Sequence, residues 1–366
     1  MPDGAMAEAS TADYGILDRL LHRVAFAHPR LQRALADLEN DLFKRQMKTV
    51  AVERPVFVTG LPRAGTTLLL EWLYGTGEFA TFTYRQMPFV LSPLLWHRLS
   101  AGSRRTEDLR ARAHGDDMMI GHDSPEAFEE VLWINYLSST LFNDGGMNTL
   151  DGSDLNAEFR DSYRRLARKI VCLATIERAQ HPTPRYLSKN NANIGRFPAI
   201  FSVFADAMLL CCVRDPIAQA ASLHRQHGRF NALHDGDVFA ERYMAWVGHH
   251  DFGRNFRPVR FTRKVATASP DELSFWLQYW IDGYRHALAN ATSQVHFVCF
   301  DSLLREGADG LARVASCVGL QAPSRLTDAA DQLRAPTTAD VDIDRLPESM
   351  VIEARALYQD LTTRAV

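Results

Sequence analysis

A short segment of the chain combines the residue types that bind a phosphate group. Gly60–Thr67 reads Gly-Leu-Pro-Arg-Ala-Gly-Thr-Thr and lies between an apolar run and a helical pattern, where a strand turns into a helix. Glycines let the backbone wrap closely around an anion, the helix start offers unpaired N–H groups, and Thr66 and Thr67 add hydroxyl donors. This glycine loop predicts an anion site, and an ordinary glycine turn beside a solvated arginine is the alternative.

The residue order in the glycine loop differs from that of ATP-binding loops. An ATP-type loop reads GxxxxGKS or GxxxxGKT, in which a lysine follows the second glycine and a hydroxyl holds magnesium. Here Thr66 follows Gly65, and the cation, Arg63, precedes it. This order disfavours a P-loop nucleotide kinase or hydrolase, although that function stays an alternative.

The glycine loop resembles the 5'-phosphosulfate loop of the sulfotransferase superfamily, which reads K/R-x-G-T-T/S. This chain supplies Arg63, Ala64, Gly65, Thr66 and Thr67, and the arginine form is similar to that of tyrosylprotein sulfotransferases and many bacterial sulfotransferases. The resemblance implies that 3'-phosphoadenosine 5'-phosphosulfate (PAPS) is the donor, that Arg63 contacts the transferring group, and that Thr66 and Thr67 contact the 5'-phosphate. Because a sulfuryl group carries less negative charge than a phosphoryl group, we expect arginine and backbone donors to act without a metal ion.

A second motif follows a later apolar run. The superfamily grips the 3'-phosphate of PAPS with an arginine at the end of a strand and a serine on the next helix, and Arg214 and Ser222 match that arrangement. Two helical turns bring Ser222 to the same face as the helix start, so both side chains can reach one phosphate. Taken alone, Arg214-Asp215-Pro216 would also fit an ion pair at a helix start, and Ser222 a tolerated helical serine.

Two further cations take their assignment from the resemblance. Many members place a lysine before a Phe-Pro segment, as Lys189 stands before Phe197-Pro198, and Arg334 lies where relatives close a late loop over the nucleotide. The resemblance implies that Lys189 contacts donor or acceptor and that Arg334 contacts the donor. A solvated loop cation is the alternative for Lys189.

Transfer to a hydroxyl is helped by a group that takes its proton. Tyrosylprotein enzymes carry a glutamate in a region that here reads Thr83–Met87 and contains no carboxylate, so neither that base nor a protein-tyrosine acceptor is supported. We nominate Glu126 as the catalytic base, followed by Asp123 and His122. The alternative is that Asp123 and Glu126 form a helix N-cap pair. Because no motif identifies the base, a nucleotide-binding protein without catalysis stays an alternative function.

Arg85 and a set of aromatic residues are candidates for the acceptor pocket. Arg85 would face an anionic acceptor or the sulfate. The aromatic residues would line an apolar pocket or belong to the core, and they are Phe79, Phe82, Tyr84, Phe89, Trp96, Trp133 and Tyr136. The acceptor itself, whether saccharide, lipid, phenol, amine or peptide, is left open.

Strands alternate with helices around these candidate residues. Apolar runs at 55–60, 207–213 and 294–300 predict strands that precede helices, which indicates a parallel sheet covered on both faces. The predicted fold class is α/β, a P-loop-type parallel β-sheet flanked by helices, with extra N-terminal and inserted helices. Helical periodicity on both sides of Pro29 predicts a helical extension over 1–50, which packs on the main domain or offers a dimer or acceptor surface, and 51–366 would form a single sulfotransferase-like α/β domain.

The composition limits the class of protein. A chain of 366 residues, 46% hydrophobic and 23% charged, is typical of a globular protein, and its formal net charge of -3 gives no general attraction to nucleic acid or anionic membrane. The cysteines lie in apolar runs without metal-ligand spacing, which favours reduced core thiols. The sequence has no signal-like start and no apolar stretch of membrane-spanning length. We therefore expect a cytoplasmic protein without a transmembrane segment, and a homodimer is a candidate assembly.

Overall fold

A parallel sheet forms the centre of the computed structural model, which describes residues 16–100, 110–111, 119–120, 123–178, 183–262, 268–335 and 343–366. Its strands are β1 (Val56–Thr59), β2 (Phe79–Ala80), β3 (Arg185–Lys189), β4 (Met208–Val213) and β5 (Val295–Cys299). They lie in the order β5-β4-β1-β3-β2, and every neighbouring pair is parallel. The strand that precedes the glycine loop is therefore the middle strand.

Helices follow most of the strands. In chain order they are α1 (Ile16–Ala27), α2 (Pro29–Leu42), α3 (Lys44–Lys48), α4 (Thr66–Gly75), α5 (Pro93–Ser100), α6 (Glu130–Leu141), α7 (Ala157–Arg178), α8 (Phe197–Val203), α9 (Pro216–Gly236), α10 (Val238–Trp246), α11 (Leu273–Ala289), α12 (Phe300–Glu306), α13 (Ala308–Val318), α14 (Ser324–Thr327) and α15 (Glu348–Thr363). In the described part of the chain, no helix is both long and apolar enough to cross a membrane.

Short elements complete the structure. An antiparallel pair joins Arg110–Ala111 to Met119–Ile120, and a small three-stranded sheet contains Phe142–Asn143, Gly146–Asn148 and Val259–Arg260. Within the described residues, the 3-10 helices are Tyr84–Gln86, Gly152–Asp154, Asn191–Gly195, Gly253–Asn255, Asp328–Gln332 and Ile343–Arg345.

The side chains of β1 alternate between two buried faces. Val56 and Val58 pack into a core cluster with residues of α4, α13 and α14, whereas Phe57 joins a larger cluster built from α6, α7, α9, α11 and α15. All three side chains are fully buried. A parallel strand covered on both faces must be apolar along its length, so the central strand could be recognised from its sequence.

The predicted fold class is confirmed. The apolar runs at 55–60, 207–213 and 294–300 form β1, β4 and β5. The sequence did not predict β3, because Arg185, Ser188 and Lys189 interrupt its apolar character and leave only Tyr186 and Leu187 as a buried apolar pair.

The N-terminal helices pack on the rest of the chain through a buried ion pair. Pro29 opens α2, at the predicted break. Lys169 Nζ on α7 lies 3.4 Å from Glu39 Oε1 on α2, with both side chains almost wholly buried, and it also donates to the carbonyls of Ala36 (3.0 Å) and Leu91 (3.1 Å). Burial raises the pKa of Glu39 and lowers the pKa of Lys169, and their mutual attraction opposes both shifts. The α2 helix is thus fixed to the main body by a polar contact inside the core.

Candidate active site

The glycine loop joins β1 to α4 in a conformation that requires glycine at two positions. Gly60 and Gly65 have φ of 131° and 87°. A Cβ on Gly60 would run into the carbonyl oxygen of Cys212, and one on Gly65 would lie 2.6 Å from the Phe300 ring. Gly65 is also the N-cap of α4, so the loop leads directly into a helix N-terminus. The backbone there has the form that suits an anion.

A buried glutamine fixes the loop backbone to α9. Gln219 Nε2 donates to the carbonyls of Leu61 (3.1 Å) and Pro62 (2.9 Å), and its Oε1 accepts from Trp280 Nε1 at 2.9 Å. This fully buried amide therefore donates to the loop backbone through its nitrogen and accepts from α11 through its oxygen. Gln219 was not predicted from the sequence, although a glutamine within the otherwise apolar stretch 217–221 was a usable signal.

The side chains of the two predicted anion motifs meet. Arg63, which has a left-handed φ of 69°, donates from Nε to Ser222 Oγ at 3.1 Å. Arg214 Nη1 lies 3.4 Å from the carbonyl oxygen of Arg63. Parallel pairing of β1 with β4 explains the meeting, because it brings the carboxyl ends of both strands to one edge of the sheet.

Arg214 is a buried cation with an unsatisfied donor. Its residue is 7% exposed, and its Nε has no hydrogen-bond partner among the described residues. Burial lowers the pKa of Arg214, while the carboxylates of Asp301 and Asp215 oppose that shift. Asp215 accepts from Ala218 N at 2.8 Å and so caps α9, and no ion pair with Arg214 within 4.0 Å is found in the described chain. A guanidinium held in this way is suited to an added anion.

Several polar side chains lie beside the glycine loop, at and after the end of β3. Lys189 is the last residue of β3, is 5% exposed and pairs with Val58 of β1, so the solvated-loop alternative for it is wrong. Thr66 Oγ1 donates to Asn191 Oδ1 at 3.2 Å, and Asn191 Nδ2 donates to Asp251 Oδ2 at 3.1 Å. Burial raises the pKa of Asp251, and Lys189 and Asn191 oppose the shift. Asn191 and Asp251 were not predicted, because the linear sequence offers no signal for them.

The nominated carboxylates have different surroundings. Asp123 is exposed and forms a two-contact ion pair with Arg85, in which Nη2 and Oδ2 are 2.7 Å apart. Glu126 is 2% exposed and accepts from the Tyr84 hydroxyl at 2.6 Å. The following helix begins only at Glu130, so the N-cap alternative for Asp123 and Glu126 is wrong. His122 lies outside the described residues, and the choice of base stays a prediction.

The remaining candidates divide between surface and core. Arg334 is exposed and donates to backbone carbonyls of its own turn, including that of Leu333 at 3.0 Å. Phe79, Phe82 and Trp133 are at most 1% exposed and belong to the core. The aromatic candidates that stay partly exposed are Tyr84, Phe89, Trp96 and Tyr136.

Comparison with known proteins bears on the family and the fold of the chain. The model of the sulfotransferase family matches residues 55–324. A sulfotransferase of Mycobacterium avium has a similar structure, with a TM-score of 0.53, 15% identity and coverage of 96% of this chain and 87% of that one. A sulfotransferase of Mycobacterium tuberculosis gives a TM-score of 0.50 at 16% identity, with coverage of 94% and 88% respectively. No curated protein sequence matches the chain. On the extent of the family match, the chain belongs to the sulfotransferase family.

Proposed function

We propose that the protein transfers a sulfuryl group from PAPS to a hydroxyl or amine of an acceptor. Family membership supports sulfuryl transfer in general, and the observation that supports PAPS in particular is the environment of Arg214. This buried guanidinium has an unpartnered Nε and contacts the carbonyl of Arg63, whose own side chain donates to Ser222. A 3'-phosphate bound there would supply the missing acceptor, and ATP has no such group.

The donor would span the two motifs. Thr66, Thr67 and the N–H groups at the start of α4 would hold the 5'-phosphate, with Ala64 and Gly65 allowing its close approach. Arg63 would stabilise the charge that builds on the departing phosphate. Arg214 and Ser222 would hold the 3'-phosphate, and Arg334 would add a contact from the late loop.

The acceptor would attack sulfur in line with the leaving phosphate. Glu126 is our first choice for the group that takes its proton, followed by Asp123 and His122. Lys189, buried at the end of β3, would contact the transferring group from the side of the sheet. No step in this scheme requires a metal ion.

A transfer assay tests this proposal. The protein is incubated with PAPS labelled with radioactive sulfur and with separate pools of saccharides, lipids, phenols, amines and peptides. We expect label to appear in one pool, to be lost with Arg63→Ala, and to be retained with Arg242→Ala, which changes an exposed arginine on α10. Absence of label from every pool would favour a nucleotide-binding protein without catalysis.

A further inference from the structure

The C-terminal helix α15 lies beyond the family-matched residues and reaches the candidate site. It packs against α11, α9 and β5, and its Val351, Ala354 and Leu361 are buried in the larger core cluster. The chain end is also fixed to β5, because Val366 N donates to the carbonyl of Phe297 at 3.0 Å. The position of α15 relative to the carboxyl end of β5 is therefore well determined by packing.

Tyr358 on α15 contacts the last residue of β5 and the first turn of α12. Its hydroxyl donates to Asp301 Oδ2 at 2.7 Å and lies 3.3 Å from Cys299 Sγ. Burial, together with Cys299 and Asp301, raises the pKa of Tyr358. The hydroxyl therefore keeps its proton at neutral pH and acts as a donor to the carboxylate.

The same carboxylate oxygen also contacts the backbone beside Arg214. Asp215 N donates to Asp301 Oδ2 at 2.7 Å. Among the charges near Arg214, Asp301 does most to oppose the lowering of its pKa by burial, so the two groups attract each other. Their nitrogen and oxygen atoms are nevertheless not within 4.0 Å in the described structure, and Arg214 Nε stays unpartnered. Two hydrogen bonds thus hold the Asp301 carboxylate at a position where it does not form an ion pair with Arg214.

We propose that Tyr358 is a positioning residue for the second anion motif: by holding Asp301 on the amide of Asp215, it keeps the Arg214 guanidinium available to the 3'-phosphate of the donor. This inference rests on the proposed function. If the hydroxyl is removed, Asp301 loses one of its two donors, its charge is less compensated, and it competes with the phosphate for Arg214.

Titration of two nucleotides tests this role without an acceptor. One is 3'-phosphoadenosine 5'-phosphate (PAP), the product of the donor, and the other is adenosine 5'-monophosphate, which lacks the 3'-phosphate. Tyr358→Phe should weaken PAP binding by about 5- to 10-fold, the effect of one hydrogen bond, and change monophosphate binding by less than about 2-fold. Thermal unfolding of the variant checks that it folds.

A double variant separates positioning from packing. If Tyr358 acts by restraining the charge of Asp301, the Phe substitution should cost little PAP affinity when Asp301→Asn has already removed that charge. A loss that persists in the Asp301→Asn background, an equal loss for both nucleotides, or no loss of PAP affinity would overturn the proposal. If the wild-type protein does not bind PAP at all, the donor assignment fails, and this inference fails with it.

Discussion

Arg214 combines two features that are costly unless a ligand compensates for them. The guanidinium is almost fully buried, and its best acceptor is the carbonyl oxygen of Arg63 at the long distance of 3.4 Å. A charged donor that is left buried and unpaired destabilises a protein by several kcal/mol. A bound phosphate would remove this cost, so we expect the nucleotide to stabilise the fold as well as to occupy the site.

The glycine loop provides a test at the level of one residue. Gly65→Ala places a Cβ at a left-handed φ and against the Phe300 ring, so it should lower the free energy of unfolding by about 1–3 kcal/mol and weaken PAP binding. Gly75→Ala is the matched control, because this residue ends the same helix and a Cβ there meets nothing within 4 Å. Urea unfolding and titration calorimetry measure both effects, and equal losses in the two variants would contradict the role given to Gly65.

Two histidines connect α9 to the turn that carries Asp251. His227 Nδ1 accepts from Gly253 N and His234 Nδ1 accepts from Arg254 N, each at 3.2 Å. These contacts require that Nδ1 carries no proton, and burial lowers the pKa of both histidines. Because the unfolded chain binds these protons more readily, with a pKa near 6.5, the contribution to stability is present above about pH 6.5 and is lost as the pH falls.

Acidification should therefore loosen this turn before the rest of the fold. We expect the amides of Gly253 and Arg254 to lose protection against hydrogen exchange between about pH 7.5 and about pH 5.5, after correction for the intrinsic rate. The amide of Gly319, which donates to Ala315 O at 3.0 Å at the end of α13, is the internal control. The same loss of protection at all three amides would show that the effect is not local.

The buried pair of Glu39 and Lys169 tests how α2 is joined to the main body. Lys169→Met leaves the Glu39 carboxylate buried without its cation and should destabilise the protein by about 3–5 kcal/mol. Glu39→Gln combined with Lys169→Met should cost less, because no charge is left behind. Urea unfolding of the single and double variants measures the difference, and a double variant as unstable as the single one would contradict this account.

The same experiment bears on domain organisation. We propose that the helical extension 1–50 and the α/β domain 51–366 unfold together, since the Lys169 ammonium connects α2 to α7 from inside the core. Unfolding followed by fluorescence and by circular dichroism should then give one shared transition. Two separated transitions would indicate that the extension unfolds independently.

For the whole molecule, the sequence predicted what local patterns determine. The strands β1, β4 and β5 are short apolar runs, and the glycine loop and the Arg214–Ser222 pair are local motifs, so three of the five strands and both motifs could be recognised in the sequence. The strand β3 was not predicted, because its charged first and last residues leave only two apolar residues in the strand. Gln219, Asn191 and Asp251 act through contacts across the fold, and a linear pattern does not contain such contacts.

The proposed function requires a site that binds a nucleotide with a 3'-phosphate. Isothermal titration of PAP and of ATP, with and without magnesium, tests it on the wild-type protein, Arg214→Ala and the surface control Arg242→Ala. We expect micromolar, metal-independent binding of PAP, weak binding of ATP, and a large loss of PAP affinity with Arg214→Ala alone. Absence of PAP binding, or tighter binding of ATP in the presence of magnesium, would contradict the proposed function and favour a nucleotide kinase or hydrolase.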